Sequence, residues 1–173
     1  MGGKESRDPA TKFGLFKHYL ENDIILQPVA APDGSLLNPR YATVIFLHDH
    51  GSNPQAMLDT FLVKASNKVF GFDKLVNVVL VQGPVVLEDT KDGKRCAWNL
   101  SGQDLLQSQG MQYVQGIIER EIAATNGRAD KVFISGIGVG GQLAMLAGFH
   151  SQHVLGGTFC LDAEVPESIV QAV

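Results

Sequence analysis

The chain has 173 residues, enough for one domain with a sizeable buried core. It is 45% hydrophobic and 18% charged, which excludes a disordered or linker-like chain, and its formal net charge of −4 leaves no basic face for a nucleic acid partner. Two cysteines, Cys96 and Cys160, are too few for a disulfide framework and point to a reducing, cytoplasmic setting.

Residues 1–20 read as a flexible tail and lead-in without the apolar core of a secretory signal, and 21–173 as one domain. The start, Met1-Gly2-Gly3-Lys4-Glu5-Ser6, fits the myristoylation pattern at Gly2, which predicts weak, reversible membrane association. Ile24–Ala30 reads as a strand with Asp33-Gly34 as its turn, and Ala42–Leu47 (ATVIFL) as a strand buried on both faces. Pro54–Phe70 reads as a helix, with Pro54 in its first turn and Met57, Phe61, Leu62 and Ala65 on one face. Leu75–Val81 is a second buried strand, and the charged run Glu88–Arg95 around Asp92-Gly93 a solvated turn. From Ser108 to Asn126, Met111, Val114, Ile118 and Ile122 recur at helical spacing, and Asn126-Gly127 ends the helix. Lys131–Ser135 is a strand, Val139–His150 a helix and Gly157–Leu161 a last strand, with Cys160 as a core thiol inside it. This alternation predicts an α/β fold with a mostly parallel sheet covered on both faces.

In such a sheet the chemistry lies at the carboxyl ends of the strands. Two loops there stand out: His48-Asp49-His50-Gly51-Ser52-Asn53 and Gly136-Ile137-Gly138-Val139-Gly140-Gly141. The second has two readings. One is a nucleophile elbow, the sharp G-x-S-x-G turn that lifts a Ser hydroxyl above the sheet, with Gly138 standing where the Ser would be. The other is a dinucleotide fingerprint, because Gly136-x-Gly138-x-x-Gly141 satisfies G-x-G-x-x-G between strand and helix. Asp162 then lies where a ribose-binding acid belongs. Against that second reading, the fingerprint normally opens the first βαβ unit, and here a long stretch of chain precedes it.

The run Ala42–His48, the segment Trp98-Asn99-Leu100 and the stretch Val132–Gly148 (VFISGIGVGGQLAMLAG) occur in the order of three family motifs. On these, the chain resembles the acyl-protein thioesterase and carboxylesterase (lysophospholipase-like) branch of the α/β-hydrolases over roughly residues 41–166. The resemblance implies an α/β-hydrolase sheet and an acyl-Ser route to cleaving acyl esters or thioesters, with no cofactor and no metal. It places Gly138 at the nucleophile position and the backbone N–H groups of Val139 and His50 as oxyanion donors. It places His48 and Trp98 at the substrate. The departures are Gly138, which has no hydroxyl, and Asp49 in place of the loop's first Gly, which is expected to tilt the His50 amide out of line. The family's acid and general-base His lie beyond the elbow helix in a longer chain, as do further strands of the sheet. The expectation is therefore a catalytically impaired hydrolase, or a pseudoenzyme binding an acyl chain or a protein partner. A dimer or partner is expected along the strand Gly157–Leu161.

Overall fold

The structure, a computed structural model, describes residues 13–16, 23–28, 42–59, 76–91 and 93–171. Gly2, Asp33-Gly34 and the predicted helix beyond residue 59 lie outside them.

Among the described residues, six strands form one sheet: β1 (Phe13–Phe16), β2 (Ile24–Pro28), β3 (Ala42–Leu47), β4 (Val76–Val81), β7 (Val132–Ile137) and β8 (Gly157–Leu161), in the order β1-β2-β4-β3-β7-β8. The four strands from β4 to β8 are parallel, while β1 and β2 add on antiparallel at one edge. β1 falls inside the stretch expected to be a flexible lead-in and instead pairs with β2 from Phe13↔Pro28 to Phe16↔Ile25. The central strands β3 and β7 are nearly continuous apolar runs because helices cover both of their faces.

On one face Ile45, Leu47, Val79, Val81, Val132 and Ile134 pack against α2 (Gln109–Ala124) and α3 (Gly138–Phe149). On the other, Val44, Phe46 and Leu80 pack with Met57 of α1 (Pro54–Leu58). α1 starts where Asn53 Oδ1 accepts the Ala56 N–H at 2.8 Å, with Pro54 in its first turn. Ser108 caps α2 in the same way, accepting from Met111 N at 3.0 Å. Asn126 and Gly127 both take positive φ at its end, where a left-handed residue closes a helix. A short α4 (Glu167–Val170) follows β8.

The charged run Glu88–Arg95 is not a simple turn. It contributes to a second, two-stranded sheet, β5 (Val85–Thr90) with β6 (Gly93–Ala97), paired from Thr90↔Gly93 to Val85↔Ala97 with a register shift between Val86 and Glu88. Its outer half is exposed and polar, so no apolar alternation announces the strands. Cys160 also differs from expectation. It is half-buried, and its thiol donates to the Gly141 carbonyl at 3.1 Å, because β8 is the sheet edge and carries side chains such as Phe159 and Leu161 in the open. No helix among the described residues is long and apolar enough to cross a membrane.

Candidate active site

The register of β3 and β7 sets the site. Leu47 pairs with Gly136, so the residues two further along, Asp49 and Gly138, leave the sheet side by side. Gly138 begins α3 with φ +53°, a left-handed conformation that glycine adopts without the steric cost a Cβ brings. A Cβ built on Gly138 would lie 2.5 Å from Asp49 Cγ and closer still to Oδ1.

That carboxylate is held between two backbone amides. Asp49 Oδ1 accepts the Val139 N–H at 3.0 Å and the His50 N–H at 2.7 Å. The two amides come from different elements, the start of α3 and the loop after β3, and they converge on one atom. Asp49 therefore does not tilt the His50 amide away. It brings both predicted donors together and occupies the point between them.

His48 and Trp98 meet below this point, in the interior of the domain. Both are fully buried, with ring centroids 4.8 Å apart. Trp98 Nε1–H donates to the His48 carbonyl at 2.8 Å. His48 Nε2 accepts the Gly83 N–H at 2.9 Å, so the ring proton is on Nδ1, which donates to the Asp49 carbonyl at 2.6 Å. Burial pushes the His48 pKa down to about 4, only partly offset by the hydrogen bond to Asp49, and the ring is neutral at pH 7. These two residues set the height and direction of the Asp49–His50 segment.

β6 straps the same loop from outside. Gly51 N–H donates to the Cys96 carbonyl at 2.8 Å, Cys96 N–H to the Ser52 carbonyl at 2.9 Å, and Arg95 Nε to the Gly51 carbonyl at 3.0 Å. Ser52 is thus tied into this bridge by its backbone. Ser135 is buried, and its Oγ has no partner among the described residues. His153 stands apart, its Nε2 2.9 Å from Glu119 Oε1.

The glycines of the second loop answer to packing. A Cβ on Gly136 would lie 2.7 Å from Gly141 N, one on Gly140 would lie 2.7 Å from the Leu47 carbonyl oxygen, and one on Gly141 would lie 2.6 Å from Ala163 Cβ. Strand, turn and helix are pressed together on the end of β3. A pyrophosphate at the start of α3 would have to displace the Asp49 carboxylate already on the Val139 amide. Asp162, at the end of β8, is exposed with φ +49°.

The part of the site hidden from sequence reasoning is Asp49 as an acceptor. The one signal that would have found it is the β3–β7 register, which depends on strand order rather than on any local motif.

Residues 35–171 match the family model described as Phospholipase/Carboxylesterase. Among solved structures, the chain is similar to Arabidopsis thaliana SOBER1, with 19% identity and a TM-score of 0.55 over 76% of this chain and 66% of that one. It is similar to the Bacillus cereus carboxylesterase, with 16% identity and a TM-score of 0.55 over 83% of this chain and 60% of that one. It is also similar to Zea mays acyl-protein thioesterase 2, with 15% identity and a TM-score of 0.53 over 83% and 62%. The chain thus spans less than two thirds of the length of each of these proteins. No curated protein matches the sequence. The likeness to these structures is one of fold, an α/β sheet flanked by helices, and with the family model running over most of the domain the chain belongs to the phospholipase/carboxylesterase family.

Proposed function

We propose that this chain is a carboxylesterase- and acyl-protein-thioesterase-like scaffold that receives an acyl group, or a partner presenting one, without hydrolysing it through an acyl-serine. One observation carries the reading: the position after β7 where a nucleophile would stand is Gly138, and the space its side chain would need is filled by the Asp49 carboxylate. Acyl transfer by this route requires a hydroxyl at the elbow and two free N–H donors at the developing oxyanion. Here the hydroxyl is absent and both donors are engaged.

The names of the similar structures, carboxylesterase and acyl-protein thioesterase, support ester or thioester acyl groups as the ligand class. The test is exposure of the protein to a fluorophosphonate probe, followed by intact mass, alongside turnover of a p-nitrophenyl ester. No adduct and no turnover above a protein control are expected. An adduct on Ser52, Ser135 or any other side chain, or turnover that scales with enzyme, would overturn the reading.

A further inference from the structure

We propose that Asp49 is a tethered internal ligand, an autoinhibitory contact that keeps the two-amide pocket closed until an external carboxylate or acyl oxygen displaces it. The inference rests on the acyl-receiving reading above and names how that site is regulated.

The geometry has three parts. First, the His50 and Val139 amides converge on a single oxygen at 2.7 and 3.0 Å, within the range of good N–H···O bonds, so the pocket is sized for one acceptor atom. Second, that acceptor is a carboxylate on a side chain that is itself exposed, and leaving the pocket requires only rotation about its own side-chain bonds into solvent. Third, the backbone on either side of it is fixed. The Asp49 carbonyl is held by His48 Nδ1, and the Gly51 N–H and carbonyl are held by Cys96 and Arg95. The amides therefore stay in place when the carboxylate leaves. An exposed plug in a rigid socket is the arrangement a displaceable ligand needs.

The absence of a side chain at residue 138 belongs to the same device. Any Cβ there would collide with the carboxylate, so Asp49 in the pocket and a side chain at 138 exclude each other.

Two probes separate this proposal from the acyl-binding reading: acetate, a carboxylate with no chain, and octanoate, the same head group with an apolar tail. Binding is followed through the His50 and Val139 amide resonances in the wild type, Asp49→Ala and Asp49→Asn. In Asp49→Ala both probes are expected to shift the two amides at concentrations at least about ten-fold lower than in the wild type, with Asp49→Asn in between, since a neutral amide oxygen is the weaker acceptor. Asp49→Asn keeps the shape of the side chain and serves if Asp49→Ala does not fold. Equal response in the wild type and both variants, or no response of these amides in either variant, would overturn the plug. Acetate gaining from Asp49→Ala while octanoate binds no better than acetate would uphold the plug and remove the acyl-binding reading.

Discussion

His48 makes folding of this domain acid-sensitive, and the size of the effect follows from its surroundings. In the unfolded chain its imidazole titrates near the ordinary value of 6.5, whereas in the fold burial holds it at about 4. Above pH 6.5 neither state takes the proton, and the stability of the fold is complete with respect to this group. Below pH 6.5 the unfolded chain binds a proton that the folded chain refuses, so stability falls at up to about 1.4 kcal/mol per pH unit until the folded ring also titrates. Over the interval from 6.5 to about 4 the loss reaches about 3 kcal/mol, a large part of the 5–15 kcal/mol that holds a typical domain together. Urea denaturation of the wild type and His48→Gln at several values between about pH 7.5 and about pH 4 reads this directly. The wild type's advantage over His48→Gln is expected to shrink by about 3 kcal/mol towards acid, since the glutamine has no proton to refuse. An advantage that stays constant across the window would refute the reasoning, as would a His48 ring that titrates near 6.5 by NMR.

Further outcomes rest on neighbouring contacts. Trp98→Phe keeps most of the buried ring but removes the N–H on the His48 carbonyl, and a loss of about 1–3 kcal/mol in denaturant is expected for the unsatisfied oxygen. Gly140→Ala forces a methyl onto the end of β3 and is expected to cost about 1–3 kcal/mol, or to leave only insoluble protein on expression. Glu121, buried on α2 with its pKa raised by burial and Oε1 without a partner among the described residues, is a carboxyl the fold would rather keep protonated. Its contribution is present in acid and is lost as pH rises through the raised value, so Glu121→Gln is expected to raise thermal stability at pH 8 more than at pH 5.

The strands at the heart of the sheet were legible in the sequence because they are buried on both faces. ATVIFL has the bounds the sequence predicts, β4 lies within LVNVVLV, and GTFCL at the sheet edge was legible from its apolar, β-branched and aromatic composition instead. The helix α2 announced itself by its cap Ser108 and its apolar spacing. The hairpin β5–β6 was hidden because a two-stranded ribbon facing solvent needs no apolar alternation, and only the Asp-Gly pair in the sequence carried a signal. At the site, Gly138, Val139 and His50 were placed by motif. His48 and Trp98 were named there too, and the hydrogen bond between them, across 50 residues of sequence, gives them the work of holding the loop. Asp49 reads locally as a misfit in a glycine position. Its partner, the Val139 amide at the start of α3, gives it meaning.

The contact between Asp49 and Gly138 also imposes a direction on how this sequence can change. A lineage that acquired a side chain at 138 while Asp49 was still seated would have to displace the carboxylate before any benefit appeared. Changing Asp49 first removes an exposed side chain and leaves the socket standing. The same two replacements thus differ in cost according to which comes first, and variants that place a hydroxyl at the elbow are reached more readily by one order of steps than by the other.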